Sequence, residues 1–324
     1  MGSQEMDQVA PREVFWNSHE IFQLEGFWFY ANSMQSMAAF RSEFQPRSDD
    51  ILLTSFPKTG TTWLIALCHN ILSLDDDGKE EDDVLKKMNP HELAPPLDVN
   101  FLSDQVQDLL LDPGRSGGRL LQTHLPYNCL PESVRNSGCK IVHVARNPKD
   151  TLVSMWHFYN KILKISAPIA TTTPDGPFPV ERAVESFCSG VLPWGPFYEN
   201  VVGYWEESNR RPKEVLFLKY EELCRYPEEQ VRKLASFMGR PFSSMEDGDA
   251  EVGKVLRRSS FNRLKELEVN KNGVWELHRL PNNTFFRKGT VGDWKSYLTP
   301  QLAERIDQLT QLKLQGTGLS LDDF

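Results

Sequence analysis

Four short apolar runs, at residues 51–56, 119–123, 140–145 and 215–218, punctuate the chain, and segments with helically spaced apolar residues separate them. Ile141, Val142 and Val144, and likewise Val215, Leu216, Phe217 and Leu218, are nearly continuous in apolar character. A strand with one wet face alternates; one covered on both faces does not. The pattern predicts an α/β fold, a central mostly parallel β-sheet flanked by helices. No internal repeat or low-complexity domain interrupts it, and 324 residues suit one domain with one large core. Residues 1–324 are expected to form that single domain, with 1–15 a flexible N-terminal tail. Three stretches predict surface loops: 75–83, with seven acids and one lysine; 167–179, Thr- and Pro-rich and long enough to act as a lid; and the region around 245–249.

Open α/β sheets bind ligands at the carboxyl ends of their strands, and every predicted strand here ends in polar chemistry. The first runs into Pro57-Lys58-Thr59-Gly60-Thr61-Thr62, the second into His124-Leu125-Pro126, the third into Arg146-Asn147-Pro148-Lys149-Asp150, and the fourth into Lys219-Tyr220-Glu221-Glu222. One cleft could hold them all. The first of these lies between an apolar strand and an apolar helix beginning near Trp63, a P-loop-like strand, loop and helix. A helix N-terminus offers unpaired N–H groups and partial positive charge, so with Lys58 and two hydroxyls beside it the loop suits a phosphate or sulfate. The lysine precedes the glycine by two positions, unlike the nucleotide loop GxxxxGK[ST], which argues against a kinase or GTPase.

The string Pro57-Lys58-Thr59-Gly60-Thr61-Thr62-Trp63 resembles the 5′-phosphosulfate loop of the cytosolic sulfotransferases. Three further motifs match in order: Gln122-Thr123-His124-Leu125-Pro126, the stretch from Arg146 to Ser154, and Phe286-Arg287-Lys288-Gly289-Thr290. The resemblance spans residues 26–314 and is nearest to the plant members. It implies a single-domain, metal-free enzyme that moves a sulfuryl group from 3′-phosphoadenosine 5′-phosphosulfate (PAPS) to a small acceptor, leaving the 3′,5′-bisphosphate PAP. By resemblance, Lys58, Thr59, Gly60, Thr61 and Thr62 hold the phosphosulfate, and Trp63 stacks on adenine, with Tyr220, Ser260 and Phe261 near it. Arg146, Ser154, Arg287, Lys288 and Gly289 hold the 3′-phosphate. The implied catalytic set is His124, Lys58 and Ser154, with His124 the general base and Lys58 stabilising charge on the leaving phosphate oxygen.

Two departures qualify the match. Many animal members carry Lys two residues before the histidine, where this chain has Gln122. The short dimer motif KxxxTVxxxE appears as Lys295, Thr299, Pro300 and Glu304, and proline removes a backbone donor, so a monomer or weak dimer is expected.

Net charge −9 and a pI near 5.4 argue against a nucleic-acid surface, although a local basic pocket can still hold a small anion. Five scattered cysteines without CxxC spacing suit reduced thiols in the cytoplasm. The polar, acidic first twelve residues are neither a secretion signal nor a membrane span. Phe22, Phe27, Trp28, Phe29 and Tyr30, the stretch 91–101, and Trp156, Phe158 and Tyr159 are candidate walls for an apolar acceptor: a plant phenolic, a hormone or a desulfoglucosinolate. The alternatives are a non-catalytic protein that binds PAP or a hormone, and a P-loop phosphotransferase.

Overall fold

A computed structural model describes residues 10–74, 83–111, 118–166, 177–243 and 245–321. The predicted runs become strands β4 (Ile51–Ser55), β5 (Leu120–Thr123), β6 (Lys140–Ala145) and β7 (Val215–Lys219). They form one wholly parallel sheet in the order β5-β4-β6-β7, with Leu52 opposite Leu121 on one side and Ile141 on the other. Successive side chains point to opposite faces, so Leu52, Leu121, Ile141, Val215 and Phe217 enter one buried cluster. Leu53, Leu120, Val142, Val144, Leu216 and Leu218 enter another, against the Thr61–Leu72 helix. Burial on both faces is why these strands read as continuous apolar runs.

The chain leaves β4 for β5 on one flank, then crosses to β6 on the other. The strand order reverses about β4, and a crevice opens at such a point, at the carboxyl end of the strands. The loop 56–60 stands there.

Before this sheet lies an antiparallel one that the apolar pattern did not reveal: β1 (Arg12–Phe15), β2 (His19–Leu24) and β3 (Phe27–Tyr30). Phe15, Phe22, Phe27, Trp28 and Phe29 are all buried in the first cluster. The expected tail through residue 15 therefore needs correcting, since 12–15 pair with β2 and Phe15 is only 2 % exposed. A second correction concerns 245–249, which begin the Met245–Ser259 helix instead of a loop. Acids near a helix N-terminus suit its dipole, which accounts for the difference. The acidic stretch 75–82 and the core of the proposed lid, 167–176, lie outside the described residues.

Candidate active site

At the end of β4 the chain turns sharply: Lys58 takes φ 71° and Gly60 φ 122°. Left-handed backbone at a lysine costs about 1–3 kcal/mol and persists only where neighbours fix it. Thr59 does so. Its N–H donates to the Phe56 carbonyl, and its hydroxyl, fully buried, lies 2.8 Å from the carbonyls of both Phe56 and Val144. The Thr59 side chain points into the fold and holds the loop's shape. The Ser55 and Thr61 hydroxyls, 2.6 Å apart, tie the strand end to the helix start. A Cβ on Gly60 would stand 2.8 Å from the Tyr220 ring, so the close approach requires glycine.

A cavity of about 220 Å³ opens from this loop. Lys58, Gly60, Thr61, Thr62, Trp63, His124, Arg146, Ser154, Tyr220, Phe261, Arg287, Lys288 and Gly289, separated by more than two hundred residues of sequence, all line it. Ser260 serves indirectly, accepting from the Arg263 N–H as N-cap of the Phe261–Glu266 helix and so seating Phe261. Among the described residues the lining holds five cations, counting Lys161, and no carboxylate. That excess of positive charge is local, in a chain of net charge −9.

Burial, with Arg146, Arg287 and Lys161 nearby, pulls the Lys58 ammonium down to about 7. Its Nζ lies 4.0 Å from the centre of the Phe158 ring. Arg146 lies over the Tyr220 ring, donates to the Thr290 carbonyl at 2.8 Å and faces Asp150 at 3.5 Å. Asp150 in turn accepts from the N–H groups of Gly292 and Trp294, clamping the 287–294 segment onto the start of the Pro148–Ser166 helix. Arg287 and Lys288 share Asp293, and the Tyr220 hydroxyl donates to the Gly289 carbonyl. The Nε atoms of Arg146 and Arg287 are buried with no hydrogen-bond partner among the described residues. Orphaned donors of this kind beside a basic cavity fit an anion. The cavity thus has two cationic ends, Lys58 with the helix N-terminus and Arg146 with Arg287, and Trp63, Tyr220 and Phe261 as flat walls. The residues fit a nucleotide with phosphates at both ends.

His124 follows β5. Its Nδ1 lies 2.8 Å from the Ser55 carbonyl, which can only accept, so Nδ1 carries the proton and Nε2 the lone pair. The buried Asp98 fixes its backbone by accepting from the His124 N–H and the Thr123 hydroxyl, and also takes the Trp194 indole N–H at 2.6 Å. Burial lowers the His124 pKa and Lys58 reinforces it, while Asp98 and the Ser55 hydrogen bond oppose it; the net direction is down. The ring is a neutral base at pH 7. Gln122, fully buried, places its Nε2 3.3 and 3.4 Å from the two ring nitrogens. Near-equal distances put the amide over the ring face, leaving the in-plane lone pair unobstructed.

Beyond His124, side chains form a continuous circuit that runs to Lys58. Trp194 touches His124 at 4.9 Å between ring centres and Tyr30 at 5.2 Å; the Tyr30 and Tyr159 hydroxyls are 2.5 Å apart; Tyr159 packs edge-on against Phe158, which caps Lys58. Of the 22–30 aromatics, only Tyr30 joins this circuit, the others being core. Sequence reasoning missed Asp98 and Trp194, as well as His91, His157 and Lys161 as polar groups on the cavity. Ser154, His157, Phe158 and Lys161 recur at helical spacing, a signal that could have found the last two.

A sheet with its switch point at an anion loop, and a neutral imidazole in the same basic cavity, define an enzyme that transfers a group from an anionic nucleotide. The chain matches the family model "Sulfotransferase domain" over residues 48–318. It is 39 % identical to cytosolic sulfotransferase 5 of Arabidopsis thaliana, over 95 % of this chain and 93 % of the relative. It is also 37 % identical to flavonol 3-sulfotransferase of Flaveria bidentis, over 93 % of each. The crystal structure of mouse sulfotransferase SULT7A1 complexed with PAP superposes with a TM-score of 0.68 at 30 % identity, over 91 % of this chain and 94 % of that one. The chain belongs to the sulfotransferase family. It is a PAPS-dependent enzyme with PAP as product and a small-molecule acceptor, and the phosphotransferase alternative is set aside. Relatives named as cytosolic agree with the cytoplasmic expectation, and no described helix is long and apolar enough to cross a membrane. Among the described residues no cluster of His, Cys, Asp or Glu could hold a metal.

Proposed function

We propose that this enzyme sulfates a hydroxyl of a largely apolar, flat acceptor, with plant phenolics foremost and hormone-like compounds or desulfoglucosinolates as the other candidates. The observation that carries the reading is the aromatic circuit, which begins at Lys58 and ends at His124, with the paired Tyr30 and Tyr159 hydroxyls as its polar point. An apolar wall with one polar anchor suits such a compound. The similarity to flavonol 3-sulfotransferase supports the same choice.

In this reading Lys58, Gly60, Thr61 and Thr62 hold the 5′-phosphosulfate, and Trp63, Tyr220 and Phe261 hold the adenine. Arg146, Ser154, Arg287, Lys288 and Gly289 hold the 3′-phosphate, so Ser154 acts by binding. His124 Nε2 takes the acceptor's proton as its oxygen bonds to sulfur; the sulfur–oxygen bond to the phosphate breaks, and Lys58 stabilises the oxygen that departs on PAP. The base contributes about 10²–10⁴-fold, and fixed positive charge with in-line positioning the remainder. A monomer or weak dimer is part of this reading, supported by Pro300 standing where the dimer motif has Val and removing a backbone donor.

The test is product formation from PAPS with a flavonol, a simple phenol, a steroid alcohol and a desulfoglucosinolate, followed by mass spectrometry. Flavonol or phenol turnover, lost in His124→Ala while PAP binding persists, is the expected result. Turnover of the steroid alcohol or desulfoglucosinolate without either phenolic would refute the placing of phenolics foremost. Turnover of none of the four would refute the acceptor class, and retained turnover in His124→Ala would refute the base.

A further inference from the structure

His91 sits in the wall of the cavity, 7 % exposed, and no motif accounts for it. Its Nε2 lies 2.8 Å from the Thr62 hydroxyl. Thr62 is the second residue of the Thr61–Leu72 helix, in the turn whose free N–H groups face the cavity. The residue is held through its backbone and its ring. The His91 backbone N–H donates to Asn89 Oδ1 within a capping box, Asn89 donates to Asn270, and the ring packs against Trp275 and Phe285, the latter at 4.2 Å between centres. Phe285 immediately precedes the Phe286 to Gly289 stretch, which also lines the cavity. His91 therefore joins the loop at one end of the nucleotide site to the segment at the other.

A hydroxyl has one proton to give and can still accept. With His91 Nε2 as acceptor, the Thr62 proton points away from the cavity. With Nε2–H as donor, the Thr62 oxygen is satisfied by His91 and its own proton is free to point at an anion. An anion beside the helix N-terminus favours the second arrangement, since it alone presents a donor.

We infer that His91 is a positioning residue: as an Nε2–H donor it aims the Thr62 hydroxyl at the 5′-phosphate or phosphosulfate. The inference rests on the nucleotide assignment proposed above. Burial, reinforced by Lys58, His124 and His278, holds the His91 pKa well below its ordinary value, so the ring is neutral and can serve as a donor through one nitrogen.

The experiment is titration with PAP of the wild type, Thr62→Val, His91→Phe, His91→Gln and the Thr62→Val/His91→Phe double variant. Phenylalanine keeps the ring stack; glutamine keeps a donor near the position of Nε2. A charge-assisted hydrogen bond predicts about tenfold weaker PAP for Thr62→Val and for His91→Phe. The double variant should be no weaker than the worse single, and His91→Gln should recover most of the loss. Losses that multiply in the double variant, or His91→Phe binding like wild type, would overturn the inference alone. Wild-type protein that binds no PAP would overturn the nucleotide assignment and this inference with it. Nitrogen-15 histidine spectra of the wild-type PAP complex give an independent reading: His91 Nε2 should carry the proton, and an unprotonated Nε2 would contradict the relay.

Discussion

Lys58 is the group whose charge the free cavity suppresses most visibly. Burial is the first cause, and Arg146, Arg287 and Lys161 add to it, bringing the ammonium from 10.5 to about 7. A bound phosphate reverses the balance by placing negative charge beside the amine, so the nucleotide should restore the proton. The sign follows: a group whose pKa rises on binding favours binding below its free value, and affinity falls as pH climbs through about 7, by up to about tenfold per unit. At pH 8 a lysine of pKa about 7 is about nine-tenths neutral, so binding PAP should take up about 0.9 proton, against about 0.5 at pH 7. The phosphate second pKa is about 6, so at pH 8 the ligand itself is fully ionised and supplies little of the exchange. His91 and His124 are both shifted downward and stay neutral in the free protein there. Calorimetric titration at pH 8 in buffers of different ionisation enthalpy reads the proton count as a slope. Lys58→Met should abolish most of that slope while keeping weakened binding. A heat independent of buffer in the wild type would refute the claim that Lys58 is held near neutrality.

Three further outcomes follow from the site. Arg146→Ala and Arg287→Ala should weaken PAP at least tenfold more than adenosine 5′-phosphosulfate, because only PAP carries the 3′-phosphate; equal weakening in titrations would place those arginines elsewhere. Asp150→Ala removes acceptors of two backbone N–H groups and the carboxylate facing Arg146, so urea denaturation should show a loss of about 3–5 kcal/mol, and an unchanged midpoint would contradict the clamp. Gln122→Lys puts a cation over the His124 ring, disfavouring the imidazolium, so the acid limb of kcat/KM against pH should move to lower pH; superimposable profiles would show that the amide does not face the ring.

The central sheet and its four strand-terminal motifs were legible because a parallel strand buried on both faces writes itself as an unbroken apolar run, with its ligand-binding chemistry adjacent in sequence. Asp98 was not, since it holds His124 across 26 residues and only the fold shows that contact. His91 was hidden for the same reason, 29 residues from Thr62. The β1 to β3 sheet lacks clean alternation in Phe27-Trp28-Phe29-Tyr30, where tertiary packing makes every residue but Tyr30 core. Thr59 and Ser260 were assigned to the nucleotide by motif position; that their hydroxyls also support the loop and cap a helix was not legible, because a motif does not show such work.

Titration of the protein with PAP, run beside ADP and magnesium ADP, tests the account at its centre, because it needs no acceptor. The account predicts tight binding of PAP, indifferent to magnesium and much weaker for ADP, which lacks the 3′-phosphate that Arg146 and Arg287 are proposed to hold. No binding of PAP, or a preference for magnesium ADP, would contradict the assignment of the basic cavity.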